Sequence, residues 1–279
     1  MSLTEGQERE YKAYYIRNSI EGKTPNPTSD DVKIYLFWGP YGSGKSTMTK
    51  YLIDIGEIDI QHTVMTNIDS IDMELSDVMC KTNNEKSCLF DDCKKRFSET
   101  LNEYIPENCE YSTLYNKVEN YPFNKCQDSP YRDYAADFAL EINKNALQNN
   151  YNIVTETLGR VGTLDAFKKY YPKVKIENYH IYYPLVRKDK LYCRVLNRMK
   201  IEGRYVPQYA VNDWIETSPA NLVDAIKKYP KMNYYIYNND IRPPSLMWTN
   251  SKGLVQLDIV NDYPLLKQLI TRTPTSYYF

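Results

Sequence analysis

Apolar positions along this chain alternate between two rhythms. Lys33-Ile34-Tyr35-Leu36-Phe37-Trp38 is nearly continuous in apolar side chains, as in a strand buried on both faces. Thr63-Val64-Met65-Thr66 is a β-branched run that predicts a second strand, and Tyr151-Asn152-Ile153-Val154-Thr155-Glu156 an apolar strand ending in an acid. Residues 178–183 (Tyr179, Ile181, Tyr183) predict a further strand stopped by Pro184, and 232–237 another. Between these runs the spacing becomes helical. Ala135, Phe138, Ala139, Ile142 and Ala146 recur on one face of a helix ended by Asn149-Asn150. Helices are also predicted over 47–55, over a short stretch closing at Phe167–Tyr171 before Pro172, and over 186–202. Ser218-Pro219 reads as an N-cap with proline at the first helical position, opening a helix to Tyr229. Strands alternating with helices predict an α/β fold, a mostly parallel central sheet with helices on both faces. Residues 246–257 predict a C-terminal hairpin.

Three stretches stand outside that alternation. Residues 1–31 predict an N-terminal helix (Tyr11, Tyr14, Tyr15, Ile16) and a linker broken by Pro25 and Pro27. Residues 76–130 are polar, hold five of the six cysteines and predict an α-helical insertion around Phe90, Phe97, Leu101 and Ile105. Residues 246–279 form the hairpin and a tail, which leaves 32–245 as the core domain.

Composition adds exclusions. With 42% hydrophobic residues the chain can bury a real core, and a net charge of −1 argues against a protein-wide field for nucleic acid, without excluding a local site. No apolar run approaches the length of a membrane span, and the polar N-terminus lacks the pattern of a signal peptide. Cys80, Cys88, Cys93, Cys109, Cys126 and Cys193 make no C-x-x-C pair and match no common zinc spacing, so free thiols are expected. The 28 tyrosines, with many asparagines, isoleucines and lysines, fit an AT-rich coding sequence of viral or parasitic kind.

The sharpest signal follows the first strand. Gly39-Pro40-Tyr41-Gly42-Ser43-Gly44-Lys45-Ser46 is a complete G-x-x-x-x-G-K-[ST] loop between a strand and a helix that begins near Thr47. Its glycines let successive backbone N–H groups face phosphate oxygens at a helix N-terminus. Lys45 would reach the β- and γ-phosphates of ATP or GTP, and the Ser46 hydroxyl would hold Mg²⁺. An NTP-dependent activity predicts a cytoplasmic setting.

In open α/β sheets ligands bind beyond the carboxyl ends of the strands, so acids and cations just after the other strands are candidates. Asp69 follows the second strand and can take a proton from an attacking hydroxyl. Asp72 competes for that role, and Asp69-Ser70 alternatively reads as a helix cap. Glu156 can order Mg²⁺ or its waters, with Arg160 clamping a phosphate-bearing substrate. Lys190, Arg194 and Arg198 lie at i, i+4 and i+8 of one helix, with Leu191, Val195 and Met199 beside them, and Gly203-Arg204 ends it with another guanidinium. Such a cationic stripe is either a solvated face or the charge-stabilising element of phosphoryl transfer.

With these residues in place, 33–240 resembles the zeta-toxin family of P-loop kinases. Residues 148–160, from Gln148 to Gly159-Arg160, are similar to that family's strand ending in Glu before Gly-Thr-Gly-Arg. Val195-Leu196-Asn197-Arg198 and Glu202-Gly203-Arg204-Tyr205-Val206-Pro207 are similar to its two-arginine lid. The resemblance implies a P-loop kinase fold, ATP and Mg²⁺ as cofactors, and a hydroxyl of a small-molecule phosphate acceptor, such as UDP-N-acetylglucosamine, as target. It implies Asp69 as base, Lys45, Arg198 and Arg204 on the triphosphate, Ser46 and Glu156 at the metal, and Glu156, Thr157 and Arg160 at the substrate. Thr157-Leu158 departs from the family's Gly-Thr, and the insertion has no clear counterpart. Rival readings are a polynucleotide 5′-kinase or nucleoside kinase, and a non-catalytic NTP-binding structural or assembly protein, for example viral. A protein partner docking on the insertion or the N-terminal helix is a further expectation.

Overall fold

A computed structural model describes residues 2–83, 88–101, 105–106, 109–119, 126, 129–251, 253–254, 263–264 and 266–268. The hairpin expected at 246–257 falls within them only to residue 254, and the tail lies almost wholly outside. The chain divides into two compact units. Unit 1 comprises Met1–Glu21, Thr66–Asn143 and Asp189–Val211, and unit 2 comprises Gly22–Met65, Lys144–Lys188 and Asn212–Phe279.

Unit 2 is built on the sheet. Its strands are β1 (Ile34–Trp38), β2 (Thr63–Thr66, whose last residue falls in unit 1), β3 (Asn152–Thr157), β4 (Tyr179–Leu185), β5 (Asn233–Asn238), β6 (Ser245–Thr249) and β7 (Gly253–Leu254), in the order β2-β3-β1-β4-β5-β6-β7. β1 pairs in parallel with β3 and β4, and β4 with β5, while β6 and β7 run antiparallel as the expected hairpin. All five residues of β1 are buried, as its unbroken apolar run requires. Tyr35, Phe37, Tyr182 and Tyr237 pack with Met48, Leu52, Ile58 and Val154 over one part of the sheet. Phe37 stacks on Tyr182 at 5.2 Å and Tyr182 on Tyr235 at 4.7 Å, so the abundant tyrosines here form a layered aromatic core.

Two proline readings are corrected. β4 runs through Pro184 to Leu185. Its ladder to β1 ends at Tyr182, so Pro184 lies where β4 pairs with β5 but no longer with β1, and a missing N–H costs little there. The long helix α9 (Gln208–Lys228) begins ten residues before Ser218 and carries Pro219 in its interior. Trp214 and Ile215 before the proline and Leu222, Val223 and Ala225 after it are all buried at helical spacing. That burial outweighs the roughly 3 kcal/mol a proline costs inside a helix.

Unit 1 is helical. It holds α1 (Glu5–Ile20), α3 (Ile68–Thr82), α4 (Leu89–Leu101), α5 (Tyr111–Glu119), most of α6 (Arg132–Gln148) and most of α8 (Lys188–Glu202); α2 (Lys45–Asp54), α7 (Val161–Tyr170) and most of α9 belong to unit 2. Phe90, Cys93, Phe97 and Leu101 recur every three or four residues on α4 and are buried, with Leu75 and Met79 of α3 and Tyr115 and Val118 of α5. On α1, Tyr15 lies against Phe138 at 5.8 Å and Lys12 pairs with Asp137 at 2.7 Å.

The cysteine expectation is overturned. All six are paired, as Cys80–Cys88, Cys93–Cys126 and Cys109–Cys193, and every pair lies in unit 1. The partners are 8, 33 and 84 residues apart, so proximity in the fold decides the pairing and local spacing carries no sign of it. Among the described residues no helix is long and apolar enough to cross a membrane.

Candidate functional site

Unit 2 carries the glycine loop between β1 and α2. Gly44 caps α2 in the left-handed region at φ +81°, which a residue with a side chain rarely adopts. A Cβ at Gly44 would also overlap the Asn239 side-chain amide. That amide donates to the carbonyl of Ser43 at 2.6 Å and Arg242 donates to its oxygen at 2.8 Å, so the loop after β5 braces the phosphate-loop motif from behind. Lys45 is buried, and its ammonium donates to the carbonyls of Gly39 at 2.9 Å and Pro40 at 3.1 Å. The Ser43 hydroxyl is buried without a hydrogen-bond partner, while Ser46 and Thr47 at the start of α2 are exposed. An orphaned donor beside a buried cation at a helix N-terminus is a set of groups that an anionic oxygen would satisfy.

The end of β3 lies beside this loop. Thr157 pairs in register with Trp38, and its carbonyl accepts from Gly39 N–H at 3.2 Å. Glu156 is half-buried opposite Phe37. Arg160, exposed, lies with its guanidinium 5.0 Å from the Trp214 ring centroid. The Gly159 carbonyl between them accepts from Asn221 at 2.8 Å.

Unit 1 carries a second constellation around Asp69. The N-cap of α3 is Asn67, whose side chain accepts from the N–H groups of Asp69 at 2.9 Å and Ser70 at 3.2 Å, so the cap reading of Asp69-Ser70 is displaced. Asp69, freed from capping, receives three guanidinium groups. Arg132 contacts it at 2.7 Å, Arg198 at 3.4 Å, and Arg204 more closely still. Burial works against the charged carboxylate, but Arg204, Arg132 and Arg198 outweigh it and hold Asp69 well below the usual carboxylate range. Arg198 is also held by Glu202 one turn along α8, at 2.7 Å.

Asp72 lies one turn further along α3 and is fully buried. It accepts from the Ser129 hydroxyl, and its other oxygen sits 3.8 Å from Arg132. Burial raises its pKa, opposed by the Ser129 hydrogen bond and by Arg132 and Arg204. Two carboxyl groups three residues apart are thus driven in opposite directions, one kept charged and one pushed toward neutrality.

The residues singled out from sequence divide accordingly. Asp69, Arg198 and Arg204 come together in unit 1, while Gly39–Thr47, Glu156, Thr157 and Arg160 belong to unit 2. Leu191, Val195 and Met199 are the buried face of α8. Sequence reasoning missed Arg132, Ser129 and Asn239. One signal was available for Arg132: a cation as the first residue of a helix opposes the dipole and calls for an acidic partner elsewhere. Asn239 lies just past β5, at the strand edge where ligands are expected.

No family model and no curated protein matches the sequence. Among solved structures, a chain from the PezAT chromosomal toxin–antitoxin system of Streptococcus pneumoniae aligns with a TM-score of 0.59 at 13% identity, over 96% of this chain and 89% of that one. A chain of the AvrRxo1-ORF1:AvrRxo1-ORF2 complex with sulphate ions aligns at a TM-score of 0.49 and 12% identity, covering 95% of this chain and 70% of that one. The fold is the α/β fold of zeta-toxin-like P-loop kinases.

Proposed function

We propose that the protein is a phosphotransferase that moves the γ-phosphoryl group of ATP, or GTP, to a hydroxyl of a small acceptor. The observation that carries this reading is the convergence of Arg132, Arg198 and Arg204 on Asp69 in a chain that also holds a complete phosphate loop. Arginines gathered this way around a carboxylate are suited to the spread charge of a transferring phosphoryl group.

The loop N–H groups, the Ser43 hydroxyl and Lys45 would bind the β- and γ-phosphates. Ser46 and Glu156 would hold Mg²⁺, which when bound neutralises phosphate charge. Asp69 would take the acceptor proton as the acceptor oxygen bonds to γ-phosphorus and the bond to the bridging oxygen breaks, releasing the nucleoside diphosphate. A carboxylate gripped by three arginines is a poor base, so this role requires Arg198 and Arg204 to turn toward the phosphoryl group, leaving Arg132 on Asp69. Thr157 and Arg160 would contact the acceptor, for which UDP-N-acetylglucosamine is the first candidate. The likeness to a toxin–antitoxin chain supports a protein partner that masks the activity.

The test is transfer from γ-labelled ATP to a panel of nucleotide sugars, nucleosides and 5′-hydroxyl oligonucleotides. Label on a nucleotide sugar supports this reading, and label on oligonucleotides or nucleosides moves it to the corresponding kinase class. Binding of Mg-ATP without transfer to any acceptor would favour a non-catalytic nucleotide-binding role.

A further inference from the structure

Arg204 is flanked by two anchors. On one side Gly203, at φ +72°, lies so close to α4 that a Cβ there would overlap the Phe90 carbonyl oxygen and press on Lys94. On the other, the Tyr205 N–H donates to the Cys126 carbonyl at 2.8 Å. Cys126 is joined by a disulfide to Cys93, which lies on α4 three residues from Phe90. Both supports of the Gly203-Arg204-Tyr205 turn are therefore fastened to each other covalently. Beyond Cys126 the chain reaches Ser129, which holds Asp72, and Arg132, which holds Asp69. The sulfurs are buried, with Cys93 and Cys126 each 2% exposed, so the bond is part of the packed interior of unit 1.

We propose that the Cys93–Cys126 disulfide is a positioning element of the Asp69 constellation: it fixes the turn that aims Arg204 and the segment that supplies Ser129 and Arg132. The guanidinium of Arg204 depends on it because backbone is held on both sides of that residue and this bond ties the two holds together covalently. Cys80–Cys88 joins α3 to the residue just before α4, but it holds neither the Tyr205 N–H nor the segment that carries Ser129 and Arg132, which makes it the comparison pair.

The experiment compares Cys93→Ala/Cys126→Ala with Cys80→Ala/Cys88→Ala and wild type, reading arginine accessibility directly. Purified proteins are treated with phenylglyoxal and the adducts mapped by mass spectrometry, with exposed Arg9 as internal reference. Arg204, whose side chain is 12% exposed, should label slowly in wild type and in the control pair. In the Cys93/Cys126 pair its labelling should rise about fivefold or more, as a locally opened segment exposes it. The activity arm rests on the phosphotransfer reading: kcat should fall by roughly 10²-fold through misplacement of Arg204, with a smaller effect on KM for ATP. If the double variant fails to fold, graded dithiothreitol on wild type, with each bond followed by mass, gives the same comparison. Arg204 labelling that is the same in both cysteine pairs would overturn the proposal, as would a non-reducing peptide map without the Cys93–Cys126 link. Increased Arg204 labelling in a protein whose wild type transfers phosphate to no acceptor would uphold the positioning role and reject the kinase reading.

Discussion

The Asn239 side chain donates to the Ser43 carbonyl at 2.6 Å across 196 residues of sequence. This one amide fastens the turn of the glycine loop to the end of β5. Asn239→Ala would leave a buried carbonyl unpaired, at a cost of about 1–3 kcal/mol, and would free the loop to leave its phosphate-binding shape. Weaker Mg-ATP binding by calorimetry, with a lower melting temperature, is the expected result; unchanged affinity would make Asn239 a purely structural brace.

Lys45 is the cation of that loop. Lys45→Ala should lower ATP affinity by a few kcal/mol, on the order of one charge-assisted contact in a desolvated site. Equal affinity in both proteins would remove the nucleotide assignment.

The two acids of α3 should respond to pH with opposite signs. The folded pKa of Asp69 is depressed, so its stabilising contribution is present above the unfolded value of about 4 and is lost as pH falls toward the folded one. Asp72 has a raised folded pKa, so its burial destabilises once it is charged, and that penalty is relieved as pH falls through the raised value. Urea midpoints from pH 3 to 7 should show Asp69→Asn losing most relative to wild type near neutrality and least in acid. Asp72→Asn should show the reverse trend. Parallel curves for both variants would contradict the assignment. In turnover, Asp69→Asn should cost roughly 10²–10⁴ in rate with little change in ATP binding.

The arginines should separate by role. Arg198→Ala and Arg204→Ala should each lower kcat by about 10²-fold or more, with smaller effects on nucleotide binding, and lysine should rescue poorly because it lacks the planar fork. Arg132→Ala should shift the pH profile of kcat/KM upward, since Asp69 would lose the guanidinium expected to stay with it. Arg194, one turn before Arg198 on α8, is the control, and Arg194→Ala should cost less than about tenfold. Equal small effects at all four would make the Asp69 cluster a structural ion-pair network and favour the non-catalytic reading.

Much of this molecule was legible in the chain. The α/β alternation, the phosphate loop and the buried face of α8 each follow from local patterns, because side-chain periodicity and glycine chemistry act within a few residues. Asp69 and the two arginines after it were visible as residue types at suggestive places. Their meeting was not, because Arg132, Arg198 and Arg204 lie 63, 129 and 135 positions from Asp69 and only tertiary packing brings them to it. Pro184 and Pro219 misled for the same reason: a proline's local penalty is read correctly from sequence, but ladder edges and buried helix faces decide whether the element continues. The cysteines show the limit most plainly. Their number is fixed by the sequence, whereas which sulfur meets which is set by helices α3, α4 and α8 and the segments between them, packing partners up to 84 residues apart.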